Sequence, residues 1–199
     1  MKTKRPYRQT ARAAAVHETR ERILDSAEAL VVERWYDEVG IRELAQHAGV
    51  ATQTIVNHFG SKAGVLAAVS ERVSARIGRA RDDVREGDVE GALAALTAEY
   101  EELGDGIVKM IALEGRVPEL GPMLAGGRAV HRRWIERVFA AALTGLSRAE
   151  RERRTVALIA ATDVLTWKVI RREQGLGRKP TREVMTDMTR LLLVSWGVS

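Results

Sequence analysis

The sequence predicts an all-α protein, and three observations carry that prediction. Ala, Leu, Arg and Glu dominate, while 199 residues contain only four prolines and two phenylalanines; this composition favours helix. Apolar residues recur at three- and four-residue steps along almost the whole chain. Finally, residues 41–62, IRELAQHAGVATQTIVNHFGSK, place two stretches of helical spacing on either side of a glycine corner. Each stretch is too short to be a stable helix alone, so both need neighbouring helices to brace them.

The elements follow in order. His17 to about Trp35 forms an amphipathic helix, with Ile23, Ala27, Leu30 and Val31 on one face. Tyr36-Asp37-Glu38-Val39-Gly40 ends it. Ile41–His47 and Thr52–His58 form short helices hinged at Gly49, and Phe59-Gly60 stops the second. Ser61 caps a helix to about Arg85, and Glu86-Gly87-Asp88 separates front from rear.

Behind that break, Leu93, Leu96, Tyr100 and Leu103 share a face. Gly104-Asp105-Gly106 reads as an interruption before Ile107, Met110 and Ile111. Val117-Pro118 and Gly121-Pro122 break the chain again, and a helix is expected from Gly127 to about Leu146. Ser147-x-x-Glu150 has the spacing of a capping box and opens a helix predicted to reach Arg172, about 39 Å at ~1.5 Å per residue. A Gly175/Gly177/Pro180 loop leads into a terminal helix, Thr181 to Trp196. The expected organisation is a basic arm over 1–16, a three-helix unit over 17–66 with a linking helix to about 85, and a helical domain over 88–199.

Composition excludes several functions. No apolar run approaches the ~18–20 residues of a membrane span. The first residues lack the apolar core of a secretory signal, so a cytoplasmic protein is expected. Cysteine is absent, which removes disulfides, thiolate nucleophiles and sulfur-ligated metals. The four histidines are scattered, and no glycine-rich phosphate loop, HExxH or Asp-rich metal motif occurs. Neither an enzyme, a cofactor nor a bound metal is expected.

The net charge of +5 is uneven: residues 1–85 hold 15 Lys/Arg against 11 Asp/Glu, and residues 86–199 hold 17 against 16. A basic front half is the footprint of a protein that meets a polyanion. Two short helices set at an angle and braced on both sides form a helix-turn-helix. Ile41, Leu44, Ala45, Val50, Ile55 and Phe59 face the small core, which turns Thr52, Gln53, Asn57 and His58 outward. Those side chains suit base edges and phosphate oxygens. The competing reading is a polar helix on the surface of an ordinary bundle.

Residues 19–66 resemble the DNA-binding domain of the TetR family of bacterial transcription repressors. The likeness is carried by the ILDSA helix, Arg42, ELAQHAGV, the Thr54/His58/Phe59 spacing and Ser61-Lys62. It covers about a quarter of the chain. It implies that Thr52, Gln53 and Thr54 read or flank bases, that Arg42 reaches a base or phosphate, and that Asn57, His58 and Lys62 hold the DNA backbone. The chain departs from the family at three places. Val56 stands where an aromatic is usual, Val39-Gly40 precede the first short helix without a capping hydroxyl, and Ala63-Gly64 replace the common acidic residues.

Lys2, Lys4, Arg5, Arg8 and Arg12 precede the first acidic residue, Glu18. Either they follow phosphates or enter a minor groove, or they form a tail of non-specific attraction. In the rear, two helices are apolar on more than one side and need a second covering surface. The resemblance implies that they form a dimer interface, with Leu158, Leu165, Met188, Leu191 and Leu192 as candidates, so that a two-fold pair reads a palindromic operator in double-stranded DNA. Tyr100, Met110, Trp134 and Trp167 are candidate lining for a small-molecule effector pocket, with Glu114, His131 or Asp163 as polar anchors; core packing is the alternative for each aromatic. The function expected is a repressor released by an effector; an architectural or ligand-independent helix-turn-helix protein is the alternative.

Overall fold

A computed structural model of the protein describes the backbone of residues 5–198 and the side chains of residues 12–198. All its regular elements are helical among the described residues. The chain divides into two compact units, Met1–Arg72 and Val73–Ser199. The division falls inside α4 (Lys62–Asp82), part of the predicted linking helix.

The first unit holds α1 (Arg5–Glu33), α2 (Ile41–His47), α3 (Thr52–Phe59) and the front of α4. Helix α1 starts twelve residues earlier than expected. RQTARAAAV is built from strong helix formers, and Pro6 sits in the first turn, where its missing N–H costs nothing. The arm residues Arg5 and Arg8 therefore lie on helical backbone, with side chains outside the described residues; Lys4 lies outside them altogether. The core joins Ile23, Leu24 and Leu30 of α1 to Leu44, Ala45, Ile55, Val65 and Leu66. Arg72 of α4 clamps α1 at its rim, bonding Asp25 and Glu28, each at 2.6 Å.

The second unit holds the end of α4, α5 (Val89–Leu113), α6 (Leu120–Val138), α7 (Ala140–Leu143), α8 (Arg148–Thr162), α9 (Val164–Lys168), a π-helical turn (Val169–Glu173) and α10 (Arg178–Ser195). Four expectations need correction. Helix α5 runs straight through Gly104-Asp105-Gly106. Gly104 is there for space, because a Cβ on it would lie 2.5 Å from the Trp167 ring. Helix α6 begins at Leu120 and takes Pro122 into its first turn, where proline needs no intrahelical donor. It ends at Val138 rather than near Leu146, because Phe139, with φ −105° and ψ 28°, turns the chain into α7.

The long helix from Ser147 is the fourth correction. It breaks at Asp163, whose backbone is extended (φ −72°, ψ 151°) and whose Oδ1 accepts from the Leu165 N–H at 2.8 Å. Asp163 is thus the cap of α9, not an isolated charge in an apolar helix. Carbonyls freed by the break find side-chain donors: Thr166 Oγ1 donates to Ala160 at 2.6 Å and the Tyr100 hydroxyl to Thr162 at 2.9 Å. Only half of the predicted capping box forms as expected. Ser147 Oγ accepts from the Glu150 N–H at 3.2 Å, while the Glu150 carboxylate takes Arg153 and Arg154.

Candidate nucleic-acid interface and regulatory core

The corner between α2 and α3 is a Schellman motif. Gly49 has φ +64°, a left-handed conformation that side chains resist. The Val50 N–H reaches back to the Ala45 carbonyl at 2.9 Å, and Gly49 N–H to Gln46 at 3.1 Å. Ile55 is 0% exposed and sets the rotation of α3, so the residues about half a turn away must face out. Ile41, Val50 and Phe59, predicted for the core, are only half-buried. As expected, Gly40 precedes α2 without a side-chain cap.

On that outward side Gln53 and Asn57 are exposed, and Gln53 Nε2 donates to Asn57 Oδ1 at 2.9 Å. Thr52, Thr54 and His58 are partly exposed along the same helix, and Arg42 is exposed on α2. His58 lies 5.9 Å from the Phe59 ring, over which the Arg20 guanidinium sits at 5.0 Å. Val56, the residue that replaces the usual aromatic, is 38% exposed. Lys62 differs from the others: its ammonium donates to the Tyr36 carbonyl and lies 3.9 Å from the centre of the Tyr36 ring. It ties α4 to the loop after α1.

In the second unit, six of the seven pocket candidates make specific contacts within the chain. Trp167 is fully buried against Gly104 and donates to Glu101 at 3.3 Å. Trp134 donates to the Arg81 carbonyl at 3.2 Å. Burial drives the Tyr100 hydroxyl pKa far above its ordinary value. Glu114, partly exposed, pairs with Arg128, and Asp163 caps α9. Met110 is half-buried on α5.

His131 stands in a network that the sequence reading missed. Arg81, 5% exposed, forms a two-point pair with Glu99 at 2.9–3.0 Å and reaches His131 Nδ1 at 3.3 Å. A guanidinium only donates, so Nδ1 accepts and Nε2 carries the proton. That proton faces Thr162 Oγ1 at 3.1 Å, which in turn donates to the Leu158 carbonyl at 2.7 Å. Burial, assisted by the Arg81 charge, holds His131 down to about 3, neutral in ordinary buffers. Burial raises the Glu99 carboxyl against the opposing pull of Arg81. A signal for the pair was present: Arg81 falls in the stripe Val73, Ile77, Arg81, Val84, and Glu99 in the stripe Leu96, Glu99, Leu103. Opposite charges on two apolar stripes mark a buried ion pair.

Of the predicted interface residues, Leu165, Met188 and Leu191 are exposed and Leu192 partly so, whereas Leu158 is fully buried in its own core. Leu158 is thereby corrected to a core residue. Val156, Val169, Val184 and Val194, not singled out for this role, are exposed as well. Among the described residues no cluster of His, Asp or Glu is arranged to hold a metal ion, and no helix is long and apolar enough to cross a membrane.

Comparison with known proteins agrees with this geometry. Residues 23–69 match the family model described as bacterial regulatory proteins, tetR family. No curated protein matches the chain in sequence. Among solved structures, a transcriptional regulator from Rhodococcus sp. Rha1 is similar over 88% of this chain and 96% of its own, at 18% identity and a TM-score of 0.71. A SmeT–triclosan complex is similar over 89% of this chain and 91% of its own, at 23% identity and 0.64. A regulator from Saccharomonospora viridis in complex with choline is similar over 87% of this chain and 96% of its own, at 17% identity and 0.64. At these identities the likeness is one of fold.

Proposed function

We propose, from the match of residues 23–69 to the tetR-family model, that the chain is a regulator of that family: a homodimeric, sequence-specific repressor released from a palindromic operator by a small molecule. The observation that carries the reading is the setting of α3. Ile55 is buried beneath it, while Gln53, Asn57 and, in part, Thr52, Thr54 and His58 face outward beside exposed Arg42. An isolated eight-residue helix reads few base pairs; a two-fold pair reads both halves of a palindrome, about 34–36 Å apart.

The apolar strip of Leu165, Val169, Val184, Met188, Leu191 and Val194 supports pairing with a second copy. For the effector we favour the region of Tyr100, His131, Trp134 and Trp167, where aromatic faces adjoin the Arg81–Glu99 pair. A ligand there acts by binding one dimer geometry better than the other; equal affinity for both shifts nothing. The triclosan and choline complexes of similar structures are in keeping with a small-molecule effector. One observation favours a ligand-independent regulator instead: the polar atoms of Tyr100, Trp134 and His131 already bond within the chain.

The test is selection of fragments from the organism's own genome by the full-length protein, followed by footprinting. Protection of a short palindrome supports the reading. Uniform protection without preference assigns an architectural role, and no protection overturns DNA binding.

A further inference from the structure

Val56 stands out once α3 is oriented. It lies three residues after Gln53 and next to Asn57, so the three share a continuous patch on the outward half of the helix. A β-branched residue on an exposed helix position lowers helix propensity, and here it also leaves apolar surface in water, 38% exposed. The helix has only eight residues and no side-chain cap at its start, so it gains nothing from such a choice. Valine offers neither donor nor acceptor, which rules out bonding to a phosphate. Its two methyl groups match one feature of the major groove, the 5-methyl group of thymine.

Its neighbour is prepared for the other half of an A·T pair. Gln53 commits one N–H to Asn57 Oδ1 at 2.9 Å, which fixes the direction of its amide. It keeps a second N–H and its carbonyl oxygen, the donor and acceptor that adenine N7 and N6 require. We infer that Val56 is a specificity residue that packs on a thymine 5-methyl group within one base-pair step of an adenine read by Gln53. The inference rests on the DNA-reading role proposed for α3 and adds which chemical group this position recognises.

The experiment uses the full-length protein and the operator fragment it selects. Each thymine of the half-site is replaced, in both halves together, by deoxyuridine, which removes the methyl and leaves the pairing intact. One position is expected to weaken binding about fourfold per half-site, the equivalent of about 0.8 kcal/mol for one buried methyl group. Val56→Ala is expected to bind the thymine and uracil operators at that position equally, and to keep the wild-type response to substitutions elsewhere. Alanine is a better helix former than valine, so loss of fold does not confuse the result. Equal sensitivity of wild type and Val56→Ala at every thymine overturns the inference, as does a wild type indifferent to all of them, and DNA binding itself stands in both cases. Failure to select any fragment overturns the underlying reading instead.

Discussion

Arg81 and Glu99 face each other through a two-point ion pair at 2.9–3.0 Å, from α4 and α5, with both side chains largely out of water. Breaking such a pair strands the surviving charge in a poorly solvated site. Glu99→Ala and Arg81→Ala are each predicted to destabilise the protein by about 3–5 kcal/mol, read from urea unfolding midpoints. The double variant Arg81→Met/Glu99→Leu is expected to recover much of that loss, because it removes both charges and keeps the volume. A double variant as unstable as the sum of the singles contradicts a coupled pair.

His131 makes stability depend on pH. Its pKa is depressed from 6.5 to about 3 in the fold, so between those values the unfolded chain binds a proton that the folded chain refuses. Stability from this group is full above about pH 6.5 and falls as pH drops, by about 1.4 kcal/mol per unit. His131→Gln keeps an acceptor for Arg81 and a donor for Thr162 without titrating. Its unfolding free energy is expected to fall less steeply from pH 6.5 to 4.5 than that of the wild type; identical slopes refute the assignment.

Gly104 and Trp167 are matched in shape. Gly104→Ala places a methyl 2.5 Å from the indole and is predicted to cost about 1–3 kcal/mol, with a change in tryptophan fluorescence. Unchanged stability and emission contradict the close packing.

The exposed apolar strip predicts that Leu191→Glu, at a position 68% exposed, converts a dimer to a folded monomer by light scattering. Leu158→Ala, a fully buried position, is expected instead to lower stability by about 2–5 kcal/mol. A Leu191→Glu protein that remains dimeric removes this face from the interface.

Deleting residues 1–12 removes five basic residues. If they contact phosphates, the plot of log affinity against log salt should flatten by up to about 0.9 per lost contact. An unchanged slope excludes the arm from the complex.

The helix-turn-helix was legible because its signals are local. The AGV corner, the buried Ile55 and the polar run around it all lie within twenty residues. The rear domain was legible in class but not in its joints. Asp163 sits in an unbroken apolar pattern, and the break there is satisfied by a tertiary donor, Tyr100, together with local bonds of Thr166 and of Asp163 itself. Gly104 resembles a helix breaker until Trp167, 63 positions away, is seen above it. Arg81 and Glu99 look like solvated charges one at a time. Their meaning lies in the pairing of two stripes across different helices, which no single stretch records.

The central claim is that α3 reads base sequence. The direct measurement is competition at moderate salt between the selected palindrome and a scrambled duplex of equal composition, for full-length wild type and Gln53→Ala. The wild type should prefer the palindrome by roughly 10³ or more, and Gln53→Ala should lose about 1–3 kcal/mol of that preference. Equal wild-type affinity for both duplexes would contradict the account.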